Sequence, residues 1–255
     1  MMRIIFTNQK GGVGKTTLTR EIGICLSHLG QKVLLVDCDP QGNLSKSLGI
    51  EDEKGLLEAL EGEGVFLHPL SSTLAILPGG LSLSLLESRL LGQVDGYQRM
   101  KDLFEGQEFS GFDFILLDTP PSLGVLTLNA LAASHHVIIP MIPSLYSMQG
   151  TNDLMATMAK VKKSLNPQIN LLGVIVNAFD PVPLITREIR QEIKGAFGEK
   201  VFSCGLSKSI RIEEAIATGE GIIEQSGREF ARSRDEVLAL TNELMDRVGA
   251  AHGEG

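Results

Sequence analysis

The sequence predicts an α/β fold: a mostly parallel, twisted sheet covered by helices on both faces. Three observations predict it. Short β-branched runs alternate with helical patterns along the 255 residues. Several runs are apolar throughout, as in Ile115-Leu116-Leu117 and Gly173-Val174-Ile175-Val176, which suits strands covered on both faces. The first run leads through a glycine-rich loop into an apolar-periodic helix, so that a helix N-terminus meets whatever the loop holds. Right-handed crossovers then put ligands at the carboxyl ends of the strands.

The first strand is expected over residues 3–7 and the first helix over 16–28. Between them runs Asn8-Gln9-Lys10-Gly11-Gly12-Val13-Gly14-Lys15-Thr16-Thr17. Glycines let successive N–H groups of a loop point at one anion, and the helix dipole adds to the same spot. Gly11, Gly12, Val13, Gly14, Lys15, Thr16 and Thr17 are the expected phosphate cradle. Lys15 supplies a mobile positive charge for the outer phosphates, and the Thr16 hydroxyl can ligate Mg²⁺. An ordinary phosphate loop has glycine where this chain has Gln9, and here a second lysine, Lys10, opens the glycine turn. The run Lys10-Gly11-Gly12-x-Gly14-Lys15-Thr16 resembles the deviant Walker A loop of the ParA/MinD/nitrogenase-iron-protein superfamily of ATPases.

The second strand is expected over 32–37. It exits into Asp37-Cys38-Asp39-Pro40-Gln41-Gly42-Asn43. Two aspartates two apart at a strand exit point to one side. The stretch resembles switch I of ParA-type ATPases. That resemblance implies that Asp39 orients and activates the attacking water and that Asp37 supports the Mg²⁺ shell. Further strands are expected over 74–77, 112–118, 137–140 and 171–177, with helices over 81–91, 123–133, 147–165, 184–197 and 229–248. Met148, Met155 and Met158 read as core packing, and His135-His136 as structural.

The strand over 112–118 ends in Asp118, a carboxylate placed to hold Mg²⁺ as in a Walker B site. The following Thr119-Pro120-Pro121-Ser122 resembles switch II; the prolines fix the exit direction and Gly124 lets the loop move. Asn177 ends the strand over 171–177. Asparagine commonly closes a strand as a turn residue; the resemblance also implies a hydrogen bond to adenine. Residues 201–215 look like the Ile-Pro-Arg-x-x-Arg-x-x-Glu-Ala segment of partition proteins. Ser207 stands for the proline, Lys208 for the first arginine, and Ile216-Ala217 for a usual Pro-Ser. Ser144 replaces a frequent glutamate. The resemblance spans about residues 2–225 and is strongest before 130.

With 43% hydrophobic residues the chain supports one large domain, expected over 1–248, with 249–255 a flexible tail. Cys25, Cys38 and Cys204 are odd in number and widely spaced, which speaks for a reducing compartment and against zinc or disulfides. The sequence predicts no leader and no membrane span, hence a cytoplasmic protein. A net charge of −8 suits nucleic acid poorly as a whole. Residues 184–211, however, hold six basic and three acidic side chains, a balance of +3.

Four function classes compete for this chain. The leading one, implied by the resemblance, is a ParA/Soj-type partition ATPase with a weak intrinsic rate. ATP and Mg²⁺ close a homodimer in which Lys10 reaches the partner's phosphates. The dimer binds DNA without sequence preference through Arg187, Arg190, Lys194, Lys208 and Arg211 and associates with the nucleoid. A ParB-like centromere-binding protein stimulates hydrolysis and release. A MinD-like regulator would need a basic amphipathic C-terminal helix, but residues 228–248 carry four basic and five acidic side chains, so the helix is expected to pack on the domain without stable membrane association. A nitrogenase-like reductase would need cluster-bridging cysteines after Asp118, and an amide-forming ligase would lack the Pro40–Asn43 run. A positioning ATPase with another cargo shares the chemistry of the first reading.

Overall fold

The computed structural model describes residues 1–253 except 52, 94, 145–149 and 178–183; of residues 184–187, 252 and 253 it describes the backbone alone. Strands β1 (Met2–Phe6), β2 (Val33–Asp37), β3 (His68–Pro69), β4 (Leu74–Leu77), β5 (Phe114–Asp118), β6 (His136–Met141) and β7 (Asn170–Val176) form one sheet in the order β3-β4-β2-β5-β1-β6-β7. All neighbours are parallel except β3 with β4. The helices are α1 (Lys15–His28), α2 (Asn43–Ser47), α3 (Leu56–Glu61), α4 (Leu83–Leu90), α5 (Arg99–Leu103), α6 (Val125–Ala133), α7 (Thr151–Ser164), α8 (Leu184–Phe197), α9 (Ile210–Ala217) and α10 (Ala231–Gly253).

The continuous apolar strands explain the layers. Every residue of β2, β5 and β6 is buried, and successive side chains serve opposite faces. Ile5, Leu34, Val36, Ile115, Leu117 and Ile139 meet the helices from α3 to α8. Ile4, Phe6, Leu35, Leu116, Ile138 and Ile175 meet α1, α9 and α10. In the centre β5 lies between β1 and β2, with Phe6 and Asp37 both opposite Asp118. The segments leaving β1, β2 and β5 therefore emerge side by side.

Most expected elements stand within two residues of their observed ends. The helix expected over 147–165 begins at Thr151, residues 147–149 lying outside the described residues. The short α2, α3, α5, α9 and β3 carry no periodic signal in the sequence, because each is eight residues or fewer and periodicity needs a longer window. Residues 249–253, expected to be loose, continue α10. Ala250 and Ala251 are strong helix formers, and the roughly 1 kcal/mol cost of Gly249 is outweighed by the stripe Val237, Leu240, Leu244 and Val248, buried against the domain. That stripe shows how the mixed-charge helix packs. His135 is structural, its Nδ1 accepting the Arg3 amide at 3.1 Å. At the two ends of the sheet, β3 is two residues long and finishes in Pro69, while β7 is bridged by Val201 at Val174.

Candidate nucleotide site

The loop after β1 turns into α1 at Gly14, whose φ of 90° lies in the left-handed region. A side chain there would be strained, and its Cβ would lie 2.9 Å from Asn177 Nδ2; only glycine fits. Gly11 and Gly12 have open space above them. Lys15, the first helical residue, is buried, and its Nζ lies 3.4 Å from the Lys10 carbonyl. Burial lowers its pKa, and the carboxylates of Asp118 and Asp39 oppose that by favouring the charged form.

Beneath the loop, the Thr16 hydroxyl donates to Asp118 Oδ2 at 2.6 Å. Asp118 is fully buried, and its Oδ1 has no partner among the described residues. Burial and then the neighbouring Asp37 raise its pKa well above the ordinary carboxylate range; Thr16 and Lys15 pull the other way. An orphaned carboxylate oxygen beside a threonine hydroxyl, in a pocket with excess negative charge, fits a hard divalent cation. Among the described residues no three His, Cys, Asp or Glu side chains form a metal centre of their own. A cation here therefore needs further oxygens from phosphate and water.

Asp37 sits beside Asp118 but its oxygens are engaged. Oδ1 accepts the Asp39 amide at 3.1 Å, and Oδ2 accepts the Ser45 amide at 2.9 Å and hydroxyl at 2.7 Å. Burial raises its pKa to about 6, against those hydrogen bonds. Asp37 thus fastens the turn that presents Asp39. Asp39 in turn accepts the Gln41 amide on Oδ1 at 2.9 Å, and its carbonyl accepts the Gly42 amide at 2.9 Å. Lys10 points elsewhere: its ammonium donates to the Ser144 hydroxyl of the same chain at 2.7 Å.

Asn177 closes the other side of the loop. Its amide donates to the Val13 carbonyl at 3.2 Å, and its Oδ1 accepts the Leu206 N–H at 3.2 Å. Gly12, Val13, Gly14, Thr17 and Asn177 line one wall of a cavity of about 230 Å³, and residues 206–209 with Ile212, Glu213 and Ile216 line the other. The cavity adjoins the phosphate loop and is largely apolar, as a base pocket needs. Glu236 of α10 holds the outer wall, and Glu243 of α10 fastens the segment leading to it. Glu236 accepts the Ser207 amide and hydroxyl at 2.9 and 2.8 Å, and Glu243 accepts the Ser203 amide at 3.0 Å and also its hydroxyl.

Of the basic residues expected to meet DNA, Lys208 lines one cavity and Arg190 and Lys194 another. Lys208 is exposed at the rim of the base-side cavity. Arg211 is paired with Glu214 at 2.6 Å and lies over the Phe230 ring. Arg190 and Lys194 instead line a groove of about 440 Å³ with Arg247 and Glu243. The Arg187 side chain lies outside the described residues. Sequence reasoning missed Ser45, Glu236 and the buried Arg20–Glu21 pair. Arg20 donates to the Ser47 and Glu220 carbonyls, and Glu21 accepts the Ile222 amide at 2.7 Å. This ties α1 to α2 and to the segment after α9. The adjacent opposite charges in the apolar run of α1 were the only local signal.

Comparison with known proteins fits this geometry. A family model described as an AAA domain matches residues 1–171. The chain is 37% identical to the chromosome-partitioning ATPase Soj of Thermus thermophilus, over 94% of this chain and 97% of that one. It is 35% identical to the sporulation initiation inhibitor protein Soj of Bacillus subtilis, with the same coverage. Among solved structures, cobyrinic acid a,c-diamide synthase of Mycobacterium smegmatis with bound ADP and magnesium superposes with a TM-score of 0.77 at 31% identity, covering 85% of this chain and 93% of that one. A single-residue variant of McdA from Cyanothece, in complex with ATP, reaches 0.85 at 21% identity, covering 98% and 96%, and shares the fold.

Proposed function

The chain belongs to the Soj/ParA family of chromosome-partitioning ATPases, and we propose that it works as an ATP-driven DNA-partition switch. It is an ATPase, and its cofactors are ATP and Mg²⁺. The observation that carries the chemistry is the convergence of Lys15, Thr16, Asp118 and Asp39 where β1, β2 and β5 end. Lys15 and the N–H groups of the loop bind the phosphates. Thr16 and the open oxygen of Asp118 would hold the cation, which when bound neutralises charge on the phosphate oxygens. Asp39, set by its turn and by Asp37, orients the attacking water and accepts its proton. Asn177 and the wall at 206–216 receive the base.

In this reading two subunits close face to face around their nucleotides. The neutral acceptor Ser144 leaves the Lys10 charge uncompensated by that contact, so the side chain can swing to the partner's phosphates. The closed dimer doubles the basic contacts on one duplex, which is how dimerisation switches DNA affinity. Arg190 and Lys194 on α8 are the leading contacts; Arg211 is engaged by Glu214, and Lys208 stands beside the nucleotide. A ParB-like protein stimulates hydrolysis and resets the switch. The protein works in the cytoplasm, on the nucleoid when ATP is bound; among the described residues no helix is long and apolar enough to cross a membrane. The intact Pro40-Gln41-Gly42-Asn43 run and the higher identity and coverage of Soj favour this over amide-bond formation. The test is DNA retention at low salt with ATP, ADP or no nucleotide. Retention with ATP alone, lost in Arg190→Glu/Lys194→Glu with ATP binding intact, is expected. Wild-type protein that ignores DNA with ATP would end the DNA reading and favour a positioning ATPase with a protein cargo.

A further inference from the structure

We propose that Arg20 is a positioning residue for hydrolysis: it holds the far end of α2 on α1 and so fixes the turn that presents Asp39. The proposal rests on the reading of Asp39 as the group that orients the attacking water.

Arg20 and Glu21 stand in the apolar run of α1, and the fold buries both side chains completely. Desolvating two ions offsets much of their attraction, and apolar side chains of the same volume commonly stabilise a core as well or better. The pair therefore matters for what its geometry fixes. The guanidinium reaches in three directions: Nη1 meets Glu21 Oε1, Nη2 donates to the Glu220 carbonyl at 3.0 Å, and Nε donates to the Ser47 carbonyl at 3.3 Å. Glu21 accepts the Ile222 amide on Oε2 at 2.7 Å. Residues 220–222 lie tight on α1, since a Cβ on Gly221 would stand 2.6 Å from Ile24 Cγ2. Two arms of the planar fork thus rest on a packed base, and the third extends to α2.

The short α2 needs that third arm. It has five residues, too few to hold a helix by its own hydrogen bonds, so contacts with the rest of the chain place it. Leu44 is buried in the core with Leu18 and Ile22 of α1. Ser45 gives its amide and its hydroxyl to Asp37 Oδ2. Both contacts come before Ser47, the last helical residue. The Ser47 carbonyl is one of those that a helix end leaves without an intrahelical partner, and Arg20 takes it. Asp37 Oδ1 accepts the Asp39 amide. A swing of α2 about Ser45 therefore reaches Asp39 through a single carboxylate, and the Arg20 contact opposes that swing at the far end.

Arg20 follows Thr16 by four residues and so lies on the same side of α1. Thr16 donates to Asp118, and Arg20 holds α2. One rigid helix thus sets the spacing between the cation side and the water side of the site. A misplacement of about 1 Å between reacting groups can cost on the order of 10²-fold in rate. Binding of the phosphates by Lys15 and the loop N–H groups does not pass through α2. Loss of the Arg20 contact should therefore appear in the hydrolytic step and leave ATP affinity as it is.

The test uses the full chain with ATP and Mg²⁺. It measures affinity with a fluorescent ATP analogue and single-turnover hydrolysis, well below the melting temperature of each variant. Arg20→Lys keeps the charge beside Glu21, but one ammonium cannot span the three acceptors of the fork. Arg20→Met/Glu21→Gln removes both charges at similar volume and decides the matter if the lysine variant does not fold. Each should hydrolyse ATP about tenfold or more slowly with affinity within about twofold of wild type. In an Asp39→Ala background, Arg20→Lys should slow hydrolysis no further, because both changes act on one step. Wild-type hydrolysis by the folded variants would overturn the proposal. So would a loss of affinity equal to the loss of rate, or full additivity with Asp39→Ala, since either marks a residue that supports the fold and not Asp39. Normal turnover by Asp39→Ala would remove the water-orienting reading and this proposal with it. Impaired Asp39→Ala beside unimpaired Arg20→Lys would remove this proposal alone.

Discussion

The phosphate side and the base side of the nucleotide site are built by opposite strategies. On the phosphate side Lys10 to Thr17 are contiguous, and the two carboxylate segments each stand at the end of one buried strand. On the base side the wall at 206–216 is held by Asn177 at the end of β7 and by Glu236 on α10, while Glu243 on α10 fastens Ser203 in the segment leading to it. The first is written in local sequence; the second exists only once distant segments have packed. Chemistry placed by a loop and a helix N-terminus tolerates little change within it. A wall placed by side chains on another helix can drift, provided its fastenings drift together. Ser207 illustrates such a fastening, since its amide and hydroxyl both donate to Glu236.

The largest expected effect lies on the phosphate side. Lys15→Ala should remove ATP binding, measured by calorimetry or a fluorescent nucleotide, because Lys15 is the lysine buried within the loop, while the Lys10 side chain leaves it towards Ser144. Near-wild-type affinity in that variant would break the comparison at its root. Asp39→Ala should keep ATP affinity and lose about 10²–10⁴-fold in hydrolysis, leaving a long-lived ATP dimer in sedimentation; normal turnover would remove Asp39 from its role. Lys10→Ala should separate the two functions of the loop: ATP binding stays within a few-fold while the ATP dimer is lost, because facing phosphates lose their bridging cations.

Base-side effects should be smaller and of another kind. Glu236→Ala leaves the Ser207 amide and hydroxyl without their acceptor, a loss on the order of 1.5–3 kcal/mol for bonds to a charged group. We expect a weaker KM for ATP with kcat nearly unchanged. An equal fall in kcat would mean that the wall also positions the reacting phosphate. Glu243→Gln should give the smallest effect and carry a pH signature. Burial alone would raise the Glu243 pKa, but the Ser203 hydroxyl and amide and Arg247 outweigh it and hold the group below its ordinary value. A depressed carboxylate stabilises the fold above its unfolded pKa and ceases to do so as pH falls through its folded pKa. The variant should melt about 2–4 °C lower near neutral pH, and the two curves should converge below about pH 4. A gap that persists in acid would mean that packing, not charge, holds the wall.

The same division decided how much was legible beforehand. The fold was readable because β2, β5 and β6 are runs of consecutive apolar residues, which suits a parallel sheet covered on both faces. Lys15, Thr16, Asp39 and Asp118 could be proposed from local sequence because a loop, a helix start and two strand ends bring them together. Asn177 was named, but its dual contact with Val13 and Leu206 spans 164 and 29 residues, which no window contains. Ser45 was invisible because α2 is a five-residue helix with no periodicity to announce it. Charge along the chain groups Lys208 with Arg190 and Lys194, whereas folding sends Lys208 to one cavity and Arg190 and Lys194 to another that shares no lining residue with it. Charge counted along a sequence gives the sign of a region, and the crossover after β7 then distributes it.

The way the sheet ends governs how copies of the chain can meet. The two-residue β3 stops at Pro69, which offers no amide, and Val201 bridges β7 at Val174. The β3 border therefore presents no long row of open backbone groups to a neighbour and does not invite strand addition. In the proposed switch, association through side-chain surfaces would follow nucleotide and salt, and an assembly held that way would dissolve when the nucleotide turns over, with no unfolding machinery needed to release its members.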